Sequence, residues 1–447
     1  LIDEAGLPSV FDQRKRRLSR LAEHRNRPVM AGASRNGNER PMNPDGLSAL
    51  GTWLTEAGLA GKSETSLLEG FCRRAVDAGV PVTRGIVIID TLHPVLEGRA
   101  FHWRREGGRT RTELVEYGPT SEGEAADKWR RSVHFQLLQS GGSLFRIRIH
   151  AGDGCDFPTV VQMRDEGIRD VAAMITRFPG AGAIGAMDCL YSYWATDRPD
   201  GFDDAHVEAI DALMPVLALA VKCASLARIA GTLMRTYLGR DAGQRVLAGE
   251  IRRGEAHRIN AVLWFSDLRG FTTISEQAAP QQLIPFLNDY AEAVIAAIYD
   301  NGGDVLKLIG DGTLAIFTAE KSEDACRSAI AAHGVLQERI ARLNQRRDGD
   351  GLPTTQVYVG LHVGEVFYGN IGSAERLDFT VVGPAVNEAA RIAAMCRSVD
   401  RTVLLSQAFA DTMARLERGR LVSVGRYALR GVERPQELFT LDAFWSG

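Results

Sequence analysis

In the second half of the chain, short apolar runs alternate with longer amphipathic stretches. Residues 261–265, Ala-Val-Leu-Trp-Phe, and 305–309, Val-Leu-Lys-Leu-Ile, read as buried strands, the second with one lysine set into it. Helical spacing over about 281–300 stops at Asn301-Gly302-Gly303. Asp311-Gly312 then signals a tight hairpin turn between residues 305–309 and 313–318. A helix is expected from 322 to about 345, strands at 356–363 and 365–370, and a helix opened by Gly383-Pro384. A strand at 402–405, a helix at 407–416 and closing strands at 421–429 and 437–441 complete the region. This α/β (α+β) order predicts a ferredoxin-like βαββαβ core with additions at its end.

The first half is a different mixture. Residues 47–57 and 66–78 have helical spacing, 85–89 is a short buried strand, and 143–150 alternates like a half-exposed strand. A further strand is expected at 185–194. A helix at 203–224 carries Val207, Ile210, Leu213, Val216, Leu217 and Val221 on one face. Helical spacing resumes at Leu226, Ile229, Leu233, Met234, Tyr237 and Leu238, is interrupted by Gly239-Arg240-Asp241, and continues at Val246, Leu247 and Ile251. We divide the chain into a flexible tail (1–45), a mixed α/β domain (46–225), a helical linker suited to a parallel dimer seam (226–257) and a C-terminal domain (258–443).

Composition narrows the class. The 447 residues are 45% hydrophobic and 24% charged, as in a globular protein. A net charge of −3 gives no electrostatic case for a nucleic-acid partner, and Arg14-Lys15-Arg16-Arg17 reads as part of a solvated tail. No apolar run reaches bilayer-spanning length and no secretory signal is visible. The six cysteines, at 72, 155, 189, 223, 326 and 396, lack paired spacing, which fits a reducing cytoplasm. His93, His102, His134 and His150 match no standard metal or haem ligand set.

The chemistry-bearing residues sit at the ends of the apolar runs. Lys307, in mid-strand, needs an acceptor, so a polar ligand or partner is implied. Asp267 ends one strand and Asp311 lies at the hairpin. Singly each reads as a loop or turn residue; as a pair they suit hard divalent cations, which leave other coordination positions to water and phosphate. Asn387 and Arg391, four apart, share a helix face.

Four segments in order, FSDLRGFT (265–272), KLIGDG (307–312), GLHVGEVFYGNIGS (360–373) and FTVVGPAVNEAARI (379–392), resemble the catalytic domain of the class III adenylate cyclases. The resemblance covers roughly 258–443. It implies cyclisation of ATP to cyclic AMP and pyrophosphate, with two Mg2+ (or Mn2+) ions held by Asp267, Asp311 and the backbone at Leu268. Phosphate oxygens would meet backbone N–H groups around Phe271 and Thr272, and Arg430 is a further candidate for the terminal phosphates. Arg391 would stabilise the α-phosphate and Asn387 the ribose, both acting across a homodimer interface. Lys307 and Thr380 would read adenine. Thr380 stands where many family members carry Asp, as in a subgroup similar to bicarbonate-responsive cyclases, and Pro384 replaces a residue that is often acidic.

The close of the first domain, with Pro199-Asp200-Gly201-Phe202-Asp203 leading into a helix, is similar to a GAF-type sensor, which implies an unidentified small-molecule regulator. A guanylate cyclase and a catalytically silent nucleotide-binding module are the alternatives. A diguanylate cyclase is excluded, because Gly302-Gly303-Asp304 precedes the strand instead of forming the hairpin turn.

Overall fold

The computed structural model describes residues 41–153, 156–179, 184–185, 187–413, 419–430 and 435–442. Most of the expected tail, Cys155 and the end of the helix expected at 407–416 lie outside the described residues. The chain forms two compact units, Leu1–Ala230 and Gly231–Gly447.

In the first unit a six-stranded antiparallel sheet runs in the order β3-β2-β1-β6-β5-β4. Its strands are β1 (Arg84–Asp90), β2 (Gly98–Glu106), β3 (Arg109–Tyr117), β4 (Leu144–Ile147), β5 (Asp170–Arg177) and β6 (Cys189–Thr196). Strand alternation gives each face its own core. From β6, Tyr191 and Tyr193 join Val133, Leu137, Val160 and Met163 of helices α4 (Val133–Ser140) and α5 (Pro158–Asp165), which follow α3 (Gly123–Arg130). On the opposite parity, Trp194 packs on Phe71 of α2 (Glu64–Asp77), ring centroids 4.8 Å apart; α2 follows α1 (Pro44–Leu59).

Helix α6 runs unbroken over Asp204–Leu238, joining the helix expected at 203–224 to the first part of the linker. Contrary to the sequence reading, α6 is long and apolar enough to cross a bilayer by length and composition, with 39% of its most apolar window buried. Its Arg228 and Ser225 bond the buried Glu64 of α2, which also pairs with Arg99 of β2.

In the second unit β7 (Ala256–Leu268), β8 (Asp304–Ile309), β9 (Gly312–Phe317), β10 (Val357–Gly372), β12 (Val403–Ser406), β13 (Leu421–Tyr427) and β14 (Gln436–Leu441) are ordered β13-β14-β12-β10-β7-β9-β8, while β11 (Leu377–Val382) pairs with β10. The β10-β7-β9-β8 portion is the antiparallel sheet of a βαββαβ fold, so the expected fold class is observed. Its helices are α7 (Arg240–Leu247), α8 (Phe271–Gln277), α9 (Pro280–Asp300), α10 (Ser322–Gly349), α11 (Pro384–Val399) and α12 (Gln407–Thr412).

Helices α9 and α10 cover one face through Phe286, Val294, Ala329 and Leu336 against Val262, Trp264 and Leu361. The other face, with Leu263, Leu314 and Ile316, receives Ala385 and Ala389 of α11 and Ala242 of α7.

Two expectations change here. The strands expected at 356–363 and 365–370 are one, since β10 stays in register with β7 from Val357↔Leu268 to Gly369↔Ala256, through Gly364. The hairpin turn falls one residue earlier, on Gly310-Asp311 with Ile309 paired to Gly312. Gly310 takes the positive φ of +62°, while Gly312 lies in β9, where a Cβ would stand 2.8 Å from the Ser266 carbonyl of β7. Only glycine lets the hairpin close this tightly on β7.

Candidate active site

β7 and the β8–β9 hairpin end side by side, which joins the two aspartates that the sequence separates by 44 positions. The Asp267 and Asp311 carboxyls lie close enough for each to act on the other's charge, and Asp311 Oδ2 accepts the Leu268 N–H at 3.2 Å. Burial of the carboxyl raises the Asp267 pKa to about 6, and the neighbouring Asp311 carboxyl pushes the same way; the Leu268 N–H pulls it down. As a whole residue Asp267 is exposed, so the desolvation is partial and the Asp311 contact carries the point. Two acidic oxygen donors forced together favour a cation between them, and an all-oxygen donor set suits Mg2+ or Mn2+. The residues therefore fit the divalent ions that the resemblance implies.

A cleft of about 200 Å3 adjoins the pair, lined by Leu268, Asp311 and Thr313 on the sheet side and by Ile284, Leu287 and Asn288 of α9. Beyond β7, Gly270 turns the chain with φ +69° into α8. The first-turn N–H groups of a helix have no intrahelical acceptor, so Phe271 and Thr272 present donors at this end of the sheet. The Phe271 ring itself stacks on Phe286 at 6.4 Å and packs on the core, while Thr272 is exposed.

Lys307 finds its acceptor within the chain: it is ion-paired with Asp378 of β11. Sequence reading asked for such an acceptor without finding it. The available signal was alternation, because Asp378 lies two residues before Thr380 and so on the same strand face. Thr380 is 6% exposed and its Oγ1 has no hydrogen-bond partner among the described residues.

Asn387 and Arg391 stand on the outward side of α11, one exposed and one half-buried. Neither forms a hydrogen bond or ion pair among the described residues, and neither is joined to the aspartate pair. α11 is seated by a close approach to β10, where a Cβ on Gly360 would lie 2.4 Å from the Ala393 nitrogen and 2.5 Å from the Ala389 carbonyl oxygen. Glu388, next to Asn387, is tied down by the Gln436 side-chain amide at 3.1 Å and lies 3.6 Å from His362, whose Nδ1 is 2.9 Å from Ser406 Oγ. Burial lowers the His362 pKa, opposed by the Glu388 charge. Arg430 is exposed in the turn after β13.

Residues 255–443 match the family model described as the adenylate and guanylate cyclase catalytic domain. An adenylate cyclase of Anabaena cylindrica is 34% identical over 161 residues, 35% of this chain and 31% of that protein. Adenylate cyclase 1 of Rhizobium meliloti is 31% identical over 158 residues, 34% of this chain and 23% of that protein. The chain thus spans less than a third of the length of these two relatives. The crystal structure of the adenylyl cyclase CyaB from P. aeruginosa aligns with 42% of this chain and 96% of that chain, at 23% identity and a TM-score of 0.38. With the sequence match falling on the segment that carries the carboxylate pair, residues 255–443 are an adenylate and guanylate cyclase catalytic domain.

Proposed function

We propose that this chain is an adenylate cyclase that converts ATP to 3′,5′-cyclic AMP and pyrophosphate, acting as a homodimer under the control of its first unit. The observation that supports it most is the Asp267–Asp311 pair, two neighbouring carboxyls of which Asp311 lines a cleft. In the reaction the ribose 3′-oxygen bonds to the α-phosphorus, the bond from that phosphorus to the bridging oxygen breaks, and pyrophosphate leaves with its electrons; the hydroxyl proton goes to solvent. Asp267, Asp311 and the Leu268 backbone would hold Mg2+ or Mn2+, two per site, which when bound lowers the pKa of the attacking hydroxyl and neutralises the leaving phosphates.

The protein's own groups supply the positioning. N–H groups at Phe271 and Thr272 donate to phosphate oxygens, and Arg430 is a weaker candidate for the terminal phosphates. The Lys307 ammonium donates to adenine N1, which guanine N1–H would repel. Thr380 accepts from the exocyclic amine. Arg391 steadies charge on the pentavalent phosphorus with a planar fork of donors, and Asn387 orients the ribose.

The Asn387 and Arg391 side chains have no partner among the described residues, which supports their use on the nucleotide held by a second copy. The apolar side chains Phe367 (55% exposed), Val382 (47%), Ile371 (38%) and Leu308 (54%) on and around β10, β11 and the hairpin suit an isologous contact between copies. The first unit we read as a GAF-like sensor for an unidentified small molecule, on its six-stranded antiparallel sheet with helices on both faces.

Purified protein with Mg-ATP or Mn-ATP, assayed for cyclic AMP and with GTP for cyclic GMP, tests the reading. Cyclic AMP as main product supports it. Cyclic GMP as main product moves it to the guanylate class, and no product with either metal favours a silent nucleotide-binding module.

A further inference from the structure

Resting on that cyclase reading, the surroundings of Lys307 assign one more residue. Asp378 spends its Oδ2 on the Lys307 ammonium, and no partner for its Oδ1 is found among the described residues. A carboxylate oxygen accepts and cannot donate, so Oδ1 is open only to a donor. On the same face of β11 stands Thr380, whose buried hydroxyl is equally unmatched. β10 lies opposite in the register Ile371↔Asp378 and Gly369↔Thr380, so a glycine faces Thr380. An ammonium, a free carboxylate oxygen and an unsatisfied hydroxyl thus gather about one strand, partly exposed at Asp378 and Lys307.

We propose that Asp378 is a specificity-determining residue for the base: it holds the Lys307 ammonium in place and offers its second oxygen to the exocyclic group at the purine six-position. Adenine presents an acceptor, N1, beside a donor, the six-amino group; guanine presents the reverse, N1–H beside the O6 acceptor. With Lys307 facing N1 and Asp378 facing position six, adenine meets two complementary contacts. Guanine in the same pose meets donor against donor and acceptor against carboxylate. The repulsion at O6 is the selective element, because rejecting the wrong base needs an unfavourable contact as well as a favourable one for the right base. Asp378 also replaces, two residues earlier, the acidic acceptor that Thr380 does not supply.

The test uses the full chain and its Asp378→Asn, Asp378→Ala and Asp378→Glu variants. Turnover of ATP and GTP is measured with Mn2+, together with calorimetric binding of α,β-methylene ATP and α,β-methylene GTP. An amide can turn its NH2 toward O6, so Asp378→Asn should cut the ATP:GTP ratio of kcat/KM at least about tenfold, with the ratio of analogue affinities moving in step. Asp378→Ala should lose ATP turnover with less gain for GTP, and Asp378→Glu should keep the preference for ATP.

Equal losses for both nucleotides, or an unchanged ratio in folded Asp378→Asn and Asp378→Ala, would overturn the assignment and leave Asp378 a structural partner of Lys307. The analogue ratio reads base preference without turnover. Wild-type protein that binds the ATP analogue yet makes no cyclic nucleotide therefore sinks the cyclase reading, while the variants still decide the role of Asp378.

Discussion

Burial raises the Asp267 pKa to about 6, and the charge of Asp311, which repels Asp267 when both are ionised, pushes the same way. Their pairing is therefore a liability without a cation and an asset with one. Asp311→Asn should leave the metal-free fold intact or raise its Tm by roughly 1–3 °C. The same change should abolish the thermal shift that Mn2+ gives the wild type and lower turnover at least about a hundredfold. Differential scanning with and without Mn2+, beside a cyclic AMP assay, checks both halves. A variant that keeps the Mn2+ shift would remove Asp311 from the metal site.

At this scale the sequence showed which residue types mattered and hid who meets whom. Lys307 in an apolar strand announced a missing acceptor, but Asp378 lies 71 positions away. Its contact depends on β11 reaching β8 and on the register shift between Val305 and Lys307 in the hairpin.

Elements place the candidate side chains. Helix α11 rests directly on β10 because Gly360 has no side chain, so Gly360→Ala forces a methyl onto the Ala389 and Ala393 backbone. Overpacking of this kind costs about 1–3 kcal/mol. The variant should melt several degrees lower and lose activity out of proportion to its folded fraction, since Asn387 and Arg391 move with the helix. Melting curves and activity normalised to folded protein test this.

Buried histidines make a second prediction. His134 of α4 and His333 of α10 are each fully enclosed, and burial holds each pKa at about 4. The unfolded chain takes up protons near pH 6.5 and the folded chain does so only near 4. Stability is therefore complete above about 6.5 and is lost as pH falls through that window. By pH 5 each buried histidine should cost about 2 kcal/mol, and replacing both by Gln should flatten the drop in Tm between pH 7 and pH 5.

Apolar periodicity found α9, α10, α11 and the hairpin strands to within a few residues, because their buried faces are continuous. It missed β3, whose Arg-Thr-Arg-Thr-Glu run is exposed along an edge, and β2, which carries charged residues beside Phe101 and Trp103. It split β10 at Gly364, where the partner strand holds the extended conformation that glycine alone does not favour.

Over the whole molecule, the carboxylates and the arginine of one chain would serve different sites in the proposed homodimer. α6 continues through the boundary between Ala230 and Gly231. The sequence broke that helix at residue 225, because its spacing changes face there and only the folded chain reveals one rod.

The central claim is that the metal-binding pair and Arg391 act together only across two copies. Asp267→Ala and Arg391→Ala, each nearly inactive alone, should regain activity when mixed, through heterodimers that retain one intact site. Random pairing sets the ceiling at about one quarter of wild-type turnover. Recovery toward that level, rising with the time allowed for subunit exchange, is the predicted result. No recovery, with heterodimers demonstrated in the mixture, would contradict a site completed by the neighbouring subunit.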